Sequence, residues 1–234
     1  WKNQISDFIA QDFISRDEGR DEAGSGRPTL KENVGAINGH NSLVFEKQEL
    51  VNMEEDAFDH LTTGSGYTWF ALITAYTQSD GLKDVNMFIG NLRNGGMYDG
   101  IWGGVEDNNR FWLGTRTGAT FGRFNGNNPK VDGPVLKEGQ YYIVAGRMGA
   151  GTDKVNIDLF VGDETIIRST EVAVNIHGNA SRMAIGQERD AIEHPGAESI
   201  DGEIARVLIY DRPLTETEMK IMFKLLNAKY FGFK

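Results

Sequence analysis

The sequence contains no cysteine. Disulfides and a cysteine nucleophile are excluded, but the compartment is left open, because a domain with a full core needs no disulfide. No apolar run is long enough to span a bilayer. Positive charge is scarce: 24 lysines and arginines stand against 34 aspartates and glutamates, a formal charge of −10. That balance argues against nucleic acid or an anionic membrane as partner. It also opposes long-range capture of an anionic polysaccharide unless a local basic groove offsets it. No signal peptide opens the sequence, which starts at Trp1 and reads as a processed chain or a trimmed domain. Repeats, low-complexity tracts, a phosphate-binding glycine loop and a Ser/His/Asp order are also missing.

What is present is β-forming. The 234 residues are 39% apolar and 10% aromatic, with 29 glycines, enough for one large core. Residues 66–77 form a long run of β-branched and aromatic types. Tyr67, Trp69, Ala71, Ile73 and Ala75 share one side of it, Thr68, Phe70, Leu72, Thr74 and Tyr76 the other. Further strands are predicted over residues 41–46, 85–90, 110–115, 119–124, 140–148, 155–162, 165–170, 182–187 and 200–210, with turn chemistry between them. Residues 1–31 look irregular, with Ile5, Phe8, Ile9 and Phe13 as a short apolar stripe. Residues 17–26 read as a solvated charged loop, and residues 91–109 as a glycine-rich loop holding Tyr98 and Trp102.

One helix is written clearly. Pro213 stops the last strand, and Thr215 with Glu218 makes a capping box. Leu214 and Met219 sit where a hydrophobic staple would. Met219, Met222, Phe223, Leu226 and Tyr230 then make one apolar face, and Gly232 lies at the C-cap. The pattern predicts an all-β antiparallel sandwich with one C-terminal helix, as a single domain over residues 1–234.

The segment Asp201-Gly202-Glu203-Ile204-Ala205, its apolar strand, Tyr210-Asp211-Arg212, Leu214-Thr215 and Ala228-Lys229-Tyr230 resemble the C-terminal end of laminin-G-like, concanavalin A-like jelly rolls of bacterial and phage type. The opening resembles them too, in Trp1-Lys2-Asn3-Gln4, Arg27-Pro28-Thr29-Leu30, Ile37-Asn38-Gly39 and Leu43-Val44-Phe45. The resemblance brackets nearly the whole chain and implies a fold; many functions share that fold. It also implies a structural calcium near the start of the last strand, with Asp201 as ligand. The alternative is that Asp201 caps a turn and Glu203 points to water.

Three constellations bear on chemistry. In residues 110–116, Arg110, Trp112, Gly114 and Arg116 share one side, and Phe111, Leu113 and Thr115 look like core. Trp112 would be an exposed platform for a sugar's C–H face, with Asn109, Arg110 and Arg116 at the hydroxyls and Tyr98 and Trp102 at the rim. The other reading buries Trp112 under a loop. Arg123 and Asn125 extend the set. The acidic constellation joins Asp201 and Glu203 to Gln187, Glu188 and Asp190. The catalytic one is thin: the paired-carboxylate strand motif of jelly-roll glucanases is absent. A lyase would draw on His40, His60, His177, His194, Tyr141 and Arg147, although the last two stand ~20 Å apart along one strand.

The leading expectation is a non-catalytic module that recognises a glycan or a surface protein. It would belong to a larger protein or assembly at a cell, extracellular or virion surface. A polysaccharide lyase or hydrolase on a jelly roll is the enzymatic alternative, and a structural or decoration domain the third.

Overall fold

The computed structural model describes residues 1–4, 12–79, 85–93, 98–120, 124–188, 196 and 198–232. The predicted stripe at Ile5, Phe8 and Ile9, together with Arg123, Asp190 and His194, lies outside these residues. The strands in chain order are β1 (Phe13–Ser15), β2 (Thr29–Val34), β3 (His40–Glu46), β4 (Leu50–Asn52), β5 (Tyr67–Ala75), β6 (Asn86–Gly90), β7 (Asp99–Val105), β8 (Arg110–Thr117), β9 (Lys130–Val135), β10 (Tyr142–Met148), β11 (Lys154–Val161), β12 (Ile166–Ala173), β13 (Ala184–Ile185) and β14 (Asp201–Tyr210); helix α1 (Glu216–Phe231) follows.

They form two seven-stranded antiparallel sheets. The first runs β1-β4-β13-β6-β7-β8-β9, the second β12-β11-β10-β5-β14-β3-β2. The chain is therefore an all-β sandwich with one C-terminal helix. β5 lies between β10 and β14 and is buried along its whole length. Its alternation explains how: Tyr67, Trp69, Ala71, Ile73 and Ala75 enter the core between the sheets, while Phe70 and Leu72 enter a second core under α1. At Gly146 of β10, opposite Trp69, an added Cβ would lie 2.7 Å from the indole, so only glycine admits that ring.

Helix α1 seals the outer face of the second sheet. The Thr215–Glu218 capping box is formed, and Arg212 clamps the Glu218 carboxylate at 3.0 and 2.7 Å. Met219, Phe223, Leu226 and Tyr230 are buried, with Phe223 edge-on to Phe70 at 5.3 Å.

Several expectations are corrected. Residues 99–105, read as part of a glycine-rich loop, are strand β7. Its glycines serve close approach rather than a turn: a Cβ at Gly100 would lie 2.7 Å from the Asn91 carbonyl oxygen, and one at Gly104 2.5 Å from Met87 Sδ. Within 119–124, the described residues Ala119, Thr120 and Phe124 are not in a strand. The short strands β1, β2 and β4 and the edge strand β9 escape the periodicity reading. In β9, Gly133-Pro134 resembles a turn, but an edge strand tolerates proline. Residues 17–26 are more than a solvated loop. Asp17 accepts the amides of Gly24 and Gly26 at 2.7 and 3.0 Å, and the largely buried Arg20 reaches buried Glu49 at 2.5 Å.

Candidate functional site

β7 and β8 pair in register, so Trp102 stands opposite Gly114 and Gly104 opposite Trp112. The predicted parity of β8 is observed: Phe111 and Leu113 point into the inter-sheet core, and Thr115 meets Tyr67 across it at 3.1 Å. Trp112 and Arg116 therefore emerge on the outer face of the first sheet, together with Trp102 from β7. Gly114 makes this possible, since a Cβ there would sit 2.1 Å from Trp102 Nε1.

On that face the predicted residues meet. Trp102 and Trp112 contact edge to face, with centroids 4.8 Å apart. The Arg116 guanidinium lies 4.4 Å from the Trp102 ring centre and 4.6 Å from that of Tyr98, a cation shared by two rings. Exposure differs from expectation, however. Trp112 is 0% and Trp102 2% exposed, packed with Val85, Met87, Leu92 and Phe124. Trp112 is thus a buried ring rather than an open platform. Phe124 is one reason, stacked on Trp102 at 5.8 Å and edge-on to Trp112 at 5.5 Å. Lys130 adds its ammonium 5.2 Å from the Trp112 ring centre and 5.0 Å from that of Phe124. Among the described residues, both indole Nε1–H groups are buried without a hydrogen-bond partner. Tyr98 is partly exposed, so this cluster reaches solvent at its rim.

The remaining predicted polar residues brace the frame. Asn109 is buried in the β7–β8 turn at φ 62°, its Oδ1 accepting from Gln78 Nε2 at 3.3 Å. Arg110 lies against Glu106 at 3.4 Å and donates to the Gly133 carbonyl at 3.3 Å. Phe124 and Lys130 were missed as members of the cluster. The turn signal Asn125-Gly126-Asn127-Asn128-Pro129, directly after Phe124, marks that ring as a loop-rim residue rather than a strand residue.

Asp201 accepts the Ser79 amide at 2.7 Å through Oδ2, and Gln78 bonds both its backbone N–H and its carbonyl at 3.0 Å. The carboxylate caps the turn that follows β5. Among the described residues, no group of three or more His, Asp or Glu side chains is arranged to hold a metal ion.

Glu203 does not point to water. It is 1% exposed and accepts from Lys31 Nζ at 2.6 Å, Ser42 Oγ at 2.5 Å, Tyr141 Oη at 2.5 Å and the Tyr76 hydroxyl. Burial pushes its carboxyl up, but these four donors together hold it below its ordinary range. Both tyrosines are pushed up, by burial and then by the carboxylate they serve. Tyr141 is thus absorbed in this network. Arg147 pairs with Asp158 at 2.8 Å, and His40 packs edge-on against Tyr230 at 4.8 Å. Among the described residues named for a lyase, Tyr141, Arg147 and His40 each have separate partners. A cavity of about 450 Å³ opens elsewhere, between the N-terminal residues and β14, lined by Trp1, Phe13, Phe58, Leu61, Val207 and Ile209 among others. It contains none of the predicted site residues.

No protein-family model matches the chain, and neither does any curated protein. Solved structures do match. A carbohydrate-binding module, the CBM40 of the Ruminococcus gnavus IT-sialidase, bound to α2,3 sialyllactose, superposes with a TM-score of 0.57 at 13% identity, over 83% of this chain and 98% of that one. The native heptameric SAP-like pentraxin of Limulus polyphemus gives 0.50 at 17% identity, over 74% and 73%. The binding domain of botulinum neurotoxin DC, in complex with rat synaptotagmin II, gives 0.58 at 10% identity, over 86% and 46%. At these identities the likeness is one of fold, a jelly-roll β-sandwich.

Proposed function

We propose that this protein is a non-catalytic recognition module that binds a glycan on the outer face of the first sheet, at the cluster of Tyr98, Trp102, Trp112 and Arg116. One observation carries the reading: among the described residues, two adjacent indole N–H groups are buried without an acceptor beside a partly exposed tyrosine. A buried unpaired donor costs about 1–3 kcal/mol, so a native structure that keeps two in one cluster calls for a reason. Sugar hydroxyls supply acceptors, and sugar C–H faces suit aromatic rings. The fold likeness supports the reading, since one structure of this fold is a carbohydrate-binding module bound to sialyllactose. Placement of the module at an extracellular, cell or virion surface, as part of a larger protein, belongs to the same proposal.

The test is retention of the chain on a printed array of neutral and sialylated oligosaccharides, with a parallel assay for unsaturated products. Retention without product is expected. Replacing Tyr98 by alanine should weaken it about tenfold, the loss of one ring contact plus a cation contact. Release of product would make the protein a lyase, and retention on no glycan would remove the recognition reading.

A further inference from the structure

Phe124 is a poor fit for an ordinary core residue. It is partly exposed, and its backbone has φ 56°, a region a bulky side chain rarely occupies and which costs on the order of 1–3 kcal/mol. Its neighbour on the C-terminal side is fixed. Asn125 Oδ1 accepts the amides of Asn127 and Asn128 at 3.0 and 3.1 Å. Asn128 accepts the Thr117 amide at 3.4 Å and donates to the Thr120 carbonyl at 2.9 Å, tying the turn to the end of β8. The strained residue therefore abuts a rigid anchor. Its ring stacks on Trp102 at an interplanar angle of 30° and covers the π-face against which a sugar's C–H face would pack. Below it are the two indoles without acceptors. Beside it, Lys130 is held by Glu106 at 2.5 Å and by Asp132 at 3.1 Å, so the ammonium stays in place if the phenyl leaves.

We propose that Phe124 occupies the sugar's place on Trp102, and that a glycan binds by displacing it. The ligand class this implies is a hexose with one apolar face and hydroxyls on its edge. The hexose replaces the phenyl on Trp102, its hydroxyl oxygens accept from the indole N–H groups and from Lys130, and the Phe124 backbone relaxes out of the left-handed region. The closed form lowers affinity by the strength of the contact that must first be broken. The inference rests on the recognition reading above.

The experiment compares wild type with Phe124→Ala and Phe124→Leu. It uses the same oligosaccharide array, then calorimetry with the best-bound oligosaccharide, and acrylamide quenching of tryptophan fluorescence without ligand. Phe124→Ala should quench more readily than wild type and bind about 2- to 10-fold tighter, the reciprocal of one aromatic pair. Phe124→Leu keeps the bulk without the stacking and should fall between them, so the inference stays testable if the alanine variant does not fold. Binding by wild type with equal or weaker binding by both folded variants overturns the displacement and leaves recognition standing. Binding by neither wild type nor variants overturns both.

Discussion

Replacing Glu203 tests how much of the second sheet depends on one buried carboxylate. Four donors converge on it from β2, β3, the residue before β10 and the residue after β5. A hydrogen bond to an ionised group contributes about 1.5–3 kcal/mol, but not all four are lost outright in Glu203→Ala. The Lys31 side chain is 48% exposed and returns to water, and Tyr141 can fall back on Ser42 at 3.0 Å. That leaves the equivalent of one or two orphaned bonds plus a small void, a loss of about 3–5 kcal/mol. With a urea m-value of about 3 kcal/mol/M, the midpoint falls by roughly 1–1.7 M, read by fluorescence at pH 7. The pH profile adds a second check. A carboxyl held below its ordinary range in the folded state stabilises above its unfolded pKa of about 4.3, and that contribution is lost as pH falls through the lower folded value. The gap between wild type and variant should stay constant from pH 8 to 5 and narrow at pH 3. A loss below about 1 kcal/mol at pH 7, or a gap that does not narrow in acid, would refute the reasoning.

Trp112→Ala should cost about 3–5 kcal/mol, as for a core ring; a loss within about 1 kcal/mol would restore the exposed platform. Asp201→Ala should lower the melting temperature through the lost turn cap; a chelator-induced fall in wild type that is absent in the variant would establish a calcium ligand as well. Asp59 is pushed up to about 6, by burial first and then by neighbouring Asp56, so its ionisation opposes folding above that pH. Asp59→Asn should therefore unfold at higher urea than wild type at pH 7.5. The advantage should shrink as pH falls through 6 towards 4, and an advantage unchanged over that range would exclude burial of the charge as its cause.

Much of the frame is legible because it is local. The two faces of β5 follow from strict alternation, and the helix start follows from Thr215 and Glu218, whose capping hydrogen bonds join residues close in sequence. Glycine is where local reading fails. Gly100 and Gly104 carry the composition of a loop, yet they lie in β7, where Asn91, just after β6, and Met87 of β6 approach too closely for a Cβ. The candidate site divides in the same way. Side-of-strand parity placed Trp112 and Arg116 together, but Trp112 also packs against Phe124, outside any strand, and that packing leaves no period in the sequence.

The sequence by itself determined the sandwich, its turns and the capped helix, since period-2 alternation and turn chemistry act between near neighbours. Tertiary structure decided burial. It turned a charged Glu203 inward because four donors from distant segments meet there, and it covered the Trp102–Trp112 pair with a loop phenyl. Whether a side chain meets water or protein depends on segments far apart in the chain, and no local pattern encodes them.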